Sequence, residues 1–320
     1  MAEKCLIVGL GKIGMGYDLE LDPAMAIYSH SRALSLHPAF ELFGAVDPSV
    51  AQRELFEQHY GKPAYANIES ALKAGAASVV VIASPTVKHS ETLSKVLHTK
   101  PKFILCEKPL AYDLVEARMM VEACENAGVK LFVNYMRRSD TGAIEVKKRI
   151  EEGTISLPIK GVAWYSKGFF HNGSHFFNLL EFWLGCVVNV KVLDSGRLWD
   201  NQDPEPDVQV EFECGKVVFQ AAWEEAFSHY TIELLSPSGR LRYEQGGESI
   251  AWQSTYPDPN ITGYEVLRPA FEIINNGMHR YQWHVADQIA AALADRPHNL
   301  CTGRQALETL ENIHQIINQR

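Results

Sequence analysis

Residues 5–14 have the sequence CLIVGLGKIG, and this stretch decides the fold that we expect. Its first four residues form an apolar run long enough for a buried strand, and glycines follow where a strand turns sharply into a helix. In such a turn the first glycine permits the bend, the second lets a pyrophosphate approach the backbone, and the third lets the helix pack on the strand. The stretch predicts a dinucleotide site, with an ordinary structural turn as the alternative. The residues expected around the pyrophosphate are Gly9, Gly11, Lys12, Ile13 and Gly14.

A second predicted strand, Glu41 to Val46, ends at Asp47. A carboxylate at that point can accept hydrogen bonds from the hydroxyl groups of the adenosine ribose. The same carboxylate would repel the 2′-phosphate that distinguishes NADP from NAD. The sequence therefore predicts NAD as the cofactor, with NADP disfavoured by Asp47.

The chain between the glycines and Asp47 is longer than usual. Asp47 lies 33 positions after Gly14, whereas an interval of about 20 is typical. The segment Met15 to Tyr28 contains acidic residues and a proline where one continuous helix would be expected. We interpret this segment as an insertion over the cofactor site or at its rim. A surface loop without a functional role is an equally acceptable interpretation.

Composition and charge restrict the class of protein. The chain has 320 residues, of which 46% are hydrophobic and 22% charged, as in ordinary soluble proteins. This length suits two domains better than a single core. The net charge is −9 and the sequence contains no basic run, which argues against nucleic acid or an anionic membrane as a partner.

Cysteine spacing and hydropathy bear on metal binding and location. The six cysteines are scattered singly, without the CxxC spacing of a zinc or redox site, so we expect reduced cysteines and no bound metal. No apolar run reaches the length of a membrane span, and the N-terminus leads directly into the first predicted strand. We therefore expect a cytoplasmic protein.

The first part of the chain alternates strand and helix patterns. Besides the two strands above, the predicted elements are strands at Ser78 to Ala83, Phe103 to Cys106 and Val129 to Val133, and helices ending near His59, at His89 to His98 and at Leu114 to Ala127. Such alternation predicts an α/β domain with a doubly wound (Rossmann) parallel sheet, and we assign residues 1–135 to NAD binding. Ligands of these sheets lie beyond the carboxyl ends of the strands. The segments at those ends are Gly9, Asp47, Ser84 to Thr86, Glu107 to Pro109, and Asn134 to Arg138.

Beyond residue 136 the pattern changes to strands joined by turns. The predicted elements are helices at Thr141 to Glu152 and from near Gly173, and strands at Lys160 to Tyr165, Val187 to Asp194, Asp207 to Cys214, Lys216 to Trp223, Tyr230 to Leu235 and Gly239 to Glu244, with two helical segments closing the chain. Residues 136–320 are thus predicted to form an α+β domain for substrate binding and oligomerisation, with a large, mainly antiparallel open sheet. We expect its open face to join the subunits of a homodimer or homotetramer.

Several motifs occur together from Gly9 to Gly185. They are GLGKIG, Asp47, SPTVKH at Ser84 to His89, EKP at Glu107 to Pro109, NYMRR from Asn134, and NGSHFFNLLEFWLG from Asn172. In these motifs and their order the chain resembles the family of glucose-fructose oxidoreductase, inositol dehydrogenase and MocA (Gfo/Idh/MocA), which are NAD(P)-dependent oxidoreductases. The remainder, to Arg320, matches this family only in general character. The resemblance therefore implies a superfamily far better than a substrate.

The resemblance extends the expected cofactor site beyond the glycine turn. The residues that it adds are Ser84, Pro85, Thr86, His89, Glu107 and Lys108. The first three of these would pass under the nicotinamide ribose. His89 stands where the family often has a histidine, although an ordinary helix cap is an equal alternative.

Lys108 is the first catalytic candidate. Hydride transfer between a secondary alcohol and a nicotinamide ring requires a group that takes the hydroxyl proton. Lys108 follows a predicted strand and resembles the family lysine with this role, and partial burial near another cation would favour its neutral form. The alternative is a surface lysine on a turn. The resemblance also implies a cis peptide bond before Pro109.

His175 is the second catalytic candidate. It lies in the first turn of a predicted amphipathic helix, with Asn178, Leu179 and Phe182 on the same face. The resemblance implies that His175 binds the reacting hydroxyl or relays its proton with Lys108, whereas a lone histidine is more often structural. Asn178 departs from the family, in which many members have aspartate here. An amide cannot take a proton, so Lys108 would carry more of the proton transfer.

Polar residues at one strand end and around the start of this helix are candidates for binding the substrate. They are Asn134, Arg137, Arg138, Asn172 and Asn178. The arginine pair could hold a carboxylate or phosphate with two hydrogen bonds each. Solvated or interdomain ion pairs are the alternative for these two arginines.

The leading hypothesis is an NAD-dependent dehydrogenase that moves a hydride between nicotinamide and a secondary hydroxyl or keto group. Its substrate would be a sugar, a cyclitol or a nucleotide sugar, with a slight preference for a nucleotide sugar because of the arginine pair. A first alternative is a family glycosidase that keeps NAD bound and uses it transiently. A second alternative is a non-catalytic protein that senses the dinucleotide.

Overall fold

The computed structural model describes residues 2–319, which divide into two units. The first unit runs to Ser139 and also includes His279–Glu308, and the second comprises Asp140–Met278 and continues from Thr309. Between the strands and longer helices lie short helical turns, among them Lys12–Gly16, Thr86–Lys88, Met136–Ser139 and Gly168–Gly173. None of the described helices is long and apolar enough to cross a membrane.

The helices and strands follow one another along the chain as two series. The first series is β1 (Glu3–Val8), α1 (His30–Leu36), β2 (Phe40–Val46), α2 (Val50–Tyr60), β3 (Ala64–Tyr65), α3 (Ile68–Ala74), β4 (Val79–Ile82), α4 (His89–Leu97), β5 (Phe103–Cys106), α5 (Leu114–Ala127) and β6 (Lys130–Val133). The second series is α6 (Thr141–Glu151), β7 (Ile159–Tyr165), α7 (Ser174–Leu184), β8 (Val187–Trp199), β9 (Asp203–Phe212), β10 (Gly215–Ala221), β11 (Thr231–Ser236), β12 (Gly239–Glu244), β13 (Ser249–Pro257), β14 (Glu265–Leu267), β15 (Glu272–Ile273), α8 (Tyr281–Leu293), β16 (Cys301–Thr302) and α9 (Gly303–Asn318).

The described part of the first unit contains a seven-stranded sheet in the order β16-β6-β5-β4-β1-β2-β3. All pairs are parallel except β16 with β6. The apolar run of β1 lies at the centre, where Cys5 to Val8 are each at most 5% exposed. The chain passes from β1 to β2 on one side and returns to β4 on the other, so the strand order reverses between β1 and β4. This confirms the predicted doubly wound parallel sheet. The point at which the strand order reverses, where such sheets bind their ligands, lies beside the glycine turn.

Residues 279–308 lie in the first unit, which differs from the predicted division at residue 136. The reason is hydrophobic packing on one face of the first sheet. Val285, Ala286 and Ile289 of α8 are each 1% exposed and share a core with Cys5 and Ile7 of β1. A helical pattern in the sequence shows that α8 has an apolar face, but it does not show which sheet that face covers.

The segment Met15 to Tyr28 interrupts the helix that usually follows a glycine turn. The wide turn Lys12–Gly16 gives way to a loop, and α1 begins at His30. The hydroxyl of Ser31 donates to the carbonyl of Gly14 at 2.7 Å, so α1 lies directly against the first turn. The segment is therefore an insertion between two pieces of helix.

A buried ion pair fixes this insertion. Asp18 is 0% exposed and accepts hydrogen bonds from the backbone N–H groups of Tyr28 (2.6 Å) and Ser29 (2.9 Å). Its second oxygen lies 3.7 Å from Nε of Arg32, which is 3% exposed. Nη1 of Arg32 donates to the carbonyl of Leu21 at 2.8 Å, which ties the loop to α1. The insertion is thus held by charge-assisted hydrogen bonds together with Met15 and Ile27, which are 0% exposed in the core of the first unit.

The described part of the second unit contains a nine-stranded sheet. Its order is β14-β13-β12-β11-β7-β10-β9-β8, with β15 also paired to β13. The pairs are antiparallel except β10 with β7. Helices α6 and α7 and the end of α9 share a hydrophobic core with this sheet. The predicted large, mainly antiparallel sheet is confirmed, although its strands β13 to β15 were not predicted.

Replacement of Asp18 by Asn should destabilise the first unit. Asn keeps the size of the side chain but leaves the buried Arg32 guanidinium without a countercharge, which costs about 3 kcal/mol or more in the free energy of unfolding. Urea denaturation measures this change. Asp22→Asn is the matched control, because Asp22 lies in the same loop but is exposed, and we expect a change within about 0.5 kcal/mol. Equal unfolding midpoints for Asp18→Asn and the unmodified protein would contradict a structural role of the ion pair.

Candidate active site

The glycine turn joins the ends of β1 and β4 at very short range. Gly9 has φ +103°, and a Cβ there would lie 2.6 Å from backbone atoms of Ala83 and Ser84. A Cβ on Gly14 would lie 2.0 Å from the carbonyl oxygen of Gly9. Both positions therefore exclude any side chain. At Gly11, in contrast, a Cβ would meet no atom of the described chain within 4 Å, so the space in front of this backbone is open.

Asp47 is fixed beside the glycine turn. One carboxylate oxygen accepts from the backbone N–H of Leu10 at 2.8 Å and the other from that of Ser49 at 2.8 Å. The side chain is half-buried at the end of β2. Each oxygen keeps a second lone pair for a further donor. This arrangement fits the ribose-binding role that the sequence predicts.

The segment after β4 supplies a polar group without a partner. Within residues 2–319, Oγ of Ser84 is buried and has no hydrogen-bond partner. Pro85 is exposed and Thr86 half-buried beside it. The open backbone at Gly11, the fixed carboxylate of Asp47 and the hydroxyl of Ser84 all follow strands of one parallel sheet. The residues present therefore fit a dinucleotide along this edge.

His89 ties two strand ends together. It is the first residue of α4 and is 1% exposed. Its Nε2 lies 2.9 Å from the carbonyl oxygen of Ser84, and its Nδ1 lies 3.1 Å from that of Leu110. The N-cap residue of α4 is Lys88, so His89 does not act as the helix cap that was its alternative interpretation. Its burial instead makes it a link between the segment after β4 and the segment after β5.

The EKP segment follows β5, and its Lys108–Pro109 peptide bond is cis, as expected. Glu107 is 14% exposed, and its Oε1 lies 2.7 Å from Nε2 of His30 and 2.7 Å from Nδ2 of Asn134. Burial alone would raise the pKa of Glu107, but hydrogen bonds from His30 and Asn134 and the charge of Lys108 outweigh it and lower the pKa. Glu107 is thus an ionised carboxylate directly before Lys108, which is half-buried.

Three predicted substrate ligands of the first unit are buried. Asn134 is 4% exposed, and its amide contacts Glu107 and, at 3.4 Å, Gln282. Arg137 and Arg138 are 8% and 7% exposed in the turn Met136–Ser139, which packs against α8. This burial favours a structural role over the clamp for a carboxylate or phosphate that the sequence suggested.

In the second unit, carboxylates of β9 hold the turn before α7. The side chain of Asp203 accepts from the backbone N–H groups of Phe170 at 3.0 Å and His171 at 2.8 Å. The amide of Asn172 donates to the carbonyl of Ser166 at 3.0 Å and to the hydroxyl of Tyr230 at 2.8 Å. Asn172 therefore organises the turn in addition to any contact with substrate.

His175 is the second residue of α7 and is half-buried. Almost all other residues of this helix are buried, so α7 is a core helix rather than an amphipathic one. Asn178 is 1% exposed, and its amide donates to the hydroxyl of Thr309 at 2.9 Å. This contact places the amide of Asn178 in the packing of α7 against α9, and its contact with substrate stays a prediction.

A half-open cavity of about 390 Å³ lies near this turn within the second unit. Tyr230, whose hydroxyl contacts Asn172, forms part of its wall, together with Glu244 and Ser249. The other lining residues are Ser228, His229, Thr231 and Gln245. Such hydroxyl, carboxylate and amide groups suit a ligand with several hydroxyl groups.

His30 and Gln282 belong to the site but were missed by the sequence analysis. His30 lies 77 positions before Glu107, and Gln282 lies 148 positions after Asn134. No local spacing or periodicity marks contacts of this kind. The signal that was present, the unusual length of the Met15 to Tyr28 segment, indicated an insertion but not the residue that follows it.

Residues 3–135 match the model of the GFO_IDH_MocA family, which is described as an oxidoreductase family with an NAD-binding Rossmann fold. The match covers less than half of the chain, namely the part that contains β1 to β6. The resemblance stated from the motifs is thus confirmed for an NAD-binding Rossmann region of this family.

Proteins similar to this chain include inositol dehydrogenases. The inositol 2-dehydrogenase of Rubrobacter xylanophilus is 28% identical over 201 residues, which cover 59% of this chain but little more than half, 55%, of that protein. The scyllo-inositol 2-dehydrogenase (NAD(+)) of Bacillus subtilis is 29% identical over 305 residues, which cover 87% of this chain and 81% of that protein.

The fold is shared with solved structures of dehydrogenases. The WlbA dehydrogenase from Bordetella pertussis, in complex with NADH and UDP-GlcNAcA, matches with a TM-score of 0.77 and 18% identity. The match covers 100% of this chain and 96% of that chain. At this identity the likeness shows that the two chains share an architecture and no more.

Gly11→Ala should weaken NAD binding without weakening the fold. The backbone of Gly11 (φ −66°, ψ −163°) suits alanine, and a methyl group there meets open space, so we expect stability to change by at most about 1 kcal/mol. The methyl group would, however, occupy the approach of the pyrophosphate and raise the Kd for NAD about tenfold or more. Calorimetric titration and thermal unfolding measure the two quantities.

Gly16→Ala is the matched control for this experiment. A Cβ on Gly16 would lie 3.7 Å from the carbonyl oxygen of Gly11, an ordinary contact, and Gly16 is exposed in the same turn. We expect unchanged NAD affinity and stability. Normal NAD affinity of Gly11→Ala would show that the pyrophosphate does not approach this backbone.

Proposed function

We propose that the protein is an NAD-dependent dehydrogenase acting on a secondary hydroxyl or keto group of a sugar or cyclitol. The observation that carries the proposal is the position of Lys108 at the carboxyl end of β5. This strand is two places from β1 in a parallel sheet, so Lys108 follows the same sheet edge as the glycine turn. A ligand of a doubly wound sheet lies along that edge. An amine there can reach the reacting part of a dinucleotide-bound substrate.

Each residue of the proposed site has its own role in the reaction. NAD, when bound, supplies the two-electron redox chemistry. Lys108 accepts the proton of the substrate hydroxyl at its Nζ during oxidation and returns it during reduction, as a general base and acid. Asp47 accepts hydrogen bonds from the ribose hydroxyls. We assign to His175, which is half-buried at the start of α7, the binding of the substrate hydroxyl.

Two observations favour a sugar or cyclitol over a nucleotide sugar. Arg137 and Arg138, which suggested a nucleotide sugar, are buried beside α8, and burial leaves little of either guanidinium for a diphosphate. The relatives with the inositol dehydrogenase names also act on a cyclitol, and one of them aligns over most of its length. The nucleotide-sugar complex among the solved structures shares only the fold.

The second sheet supports self-association. Its outer surface exposes Trp164 (39%) and Leu235 (48%) next to Lys160 and Glu233 on paired strands β7 and β11. Aromatic residues are enriched in subunit interfaces, and polar residues surround their buried centre. We propose a homodimer or homotetramer formed through this sheet.

Lys108→Ala should abolish most turnover and leave NAD binding intact. Loss of a general base lowers kcat about 100- to 10,000-fold, whereas the pyrophosphate and ribose sites are unchanged. NADH absorbance with a panel of inositols and sugars measures turnover, and calorimetric titration measures NAD affinity. Lys102→Ala is the matched control, because Lys102 lies just before β5 instead of after it and is exposed in a pair with Glu3. Full turnover of Lys108→Ala would reject the assignment of the base.

The same assay separates the alternative activities. Release of the aryl alcohol from a chromogenic glycoside, without net change in NADH, would contradict net oxidation and favour the glycosidase alternative. Tight NAD binding without turnover of any compound would favour the sensor alternative.

Asp47→Asn should change the preference between the two cofactors. The amide keeps the size of the side chain but removes the charge that repels a 2′-phosphate, so the ratio of kcat/KM for NADP to that for NAD should rise about tenfold or more. Losses of kcat/KM that are equal for the two cofactors cancel in this ratio. Glu41→Gln, an exposed change at the other end of β2, should leave the ratio unchanged. An unchanged ratio for Asp47→Asn would contradict a contact with the adenosine ribose.

A further inference from the structure

We propose that His30 is a positioning residue for Lys108. His30 holds the carboxylate of Glu107 in place, and the insertion before His30 holds His30 itself in place. The inference rests on the proposed role of Lys108 as the base. It assigns a purpose to the segment Met15 to Tyr28, for which the sequence left a functional and a non-functional interpretation open.

The contact between His30 and Glu107 is buried and direct. His30 is 3% and Glu107 14% exposed, and Nε2 of His30 lies 2.7 Å from Oε1 of Glu107. Asn134 donates to the same oxygen at 2.7 Å. Because the carboxylate is ionised, Nε2 must carry the proton of this hydrogen bond. Two donors thus fix one oxygen of the residue that precedes Lys108.

The residues around His30 are tied on both sides. The backbone N–H of Ser29 donates to Asp18 at 2.9 Å, and the hydroxyl of Ser31 donates to the carbonyl of Gly14 at 2.7 Å. Arg32 binds carbonyl groups of the insertion and faces Asp18. His30 is therefore held between the ordered insertion and the glycine turn. A side chain fixed in this way directs its imidazole to one place, which is what a positioning residue requires.

The other ionisable groups beside Glu107 stay uncharged near neutral pH. Burial, and to a smaller extent Glu107, raise the pKa of Cys106 well above its usual value. Burial also raises the pKa of Tyr281 on α8, with smaller contributions from Tyr17, Glu107 and Asp18 among others. The neighbours Asn134 and Gln282 are neutral amides. Among the described residues, His30 and Lys108 are thus the groups next to Glu107 that can bear positive charge.

The electrostatic consequence has a definite sign. Donation by His30 disperses the negative charge of Glu107, and without it more of that charge acts on Lys108. A stronger negative field stabilises the protonated amine, which cannot act as a base. Loss of His30 should therefore move the acid limb of the pH profile of kcat/KM to higher pH by about one unit. On that limb, kcat/KM at a given pH would then be about tenfold lower.

The test compares His30→Phe with a matched control in the same unit. His37→Phe breaks another histidine–carboxylate contact, in which Nε2 of the buried His37 lies 2.9 Å from Oδ1 of the half-exposed Asp287. We expect His30→Phe to show the alkaline shift of the pH profile with little change in KM for NAD, and His37→Phe to keep the normal pH profile. His30→Gln, which retains a donor, should restore part of the effect. Equal pH profiles for His30→Phe and His37→Phe would overturn the proposal, even if both variants lose stability.

A second measurement needs neither substrate nor NAD. The rate at which an amine-selective reagent modifies Lys108 in the free protein, followed by peptide mass spectrometry, reports its protonation directly. The pH midpoint of this modification should rise in His30→Phe. It should not rise when His30→Phe is added to Glu107→Gln, because no carboxylate charge then remains to be released. An unshifted midpoint in His30→Phe overturns the inference, whereas a shift accompanied by active Lys108→Ala would overturn only the assignment of Lys108 as base.

Discussion

The close approach of two backbones at Gly9 is the constraint on which the first unit depends. β1 and β4 lie side by side there, and any side chain on Gly9 would overlap the peptide between Ala83 and Ser84. The carbonyl of Gly9 likewise leaves no room for a side chain on Gly14. Because the strand order reverses between β1 and β4, the contact that packs the sheet also opens a crevice at the carboxyl ends of the strands. The same backbone contact therefore determines both the packing of the sheet and the position of the proposed cofactor site.

Buried carboxylates fix several loops in both units. Asp18 binds backbone N–H groups and faces Arg32, and Glu205 binds the N–H of Gly168 and pairs with Arg197 at 2.8 Å. Asp140 binds the N–H groups at the start of α6 and that of Gly277. An ionised group is costly to bury unless it is satisfied by several donors, so each of these contacts allows one loop geometry and disfavours others. Charge-assisted hydrogen bonds therefore contribute to the order of these loops.

Local sequence patterns explain which strands and site residues were predicted and which were missed. Continuous apolar runs such as Phe103–Cys106 mark buried parallel strands, and that strand was predicted with its observed bounds. Strands β14 and β15 have three and two residues, too few to show alternation, and they were missed. At the site, the glycines are marked by their spacing, and Asp47 is marked by its position at the end of a predicted strand. The contact of His30 with Glu107 depends on how distant segments pack, which no spacing encodes.

The distribution of core residues has a consequence for synthesis on the ribosome. The core of the first unit includes Val285 and Leu300, and that of the second includes Ile313 and Ile316. Strands β1 to β6 therefore leave the ribosome with part of one sheet face uncovered, and β6 emerges long before its edge partner β16. Both cores close only after α8 and α9 have emerged, so apolar surface of the nascent chain stays exposed until late in elongation.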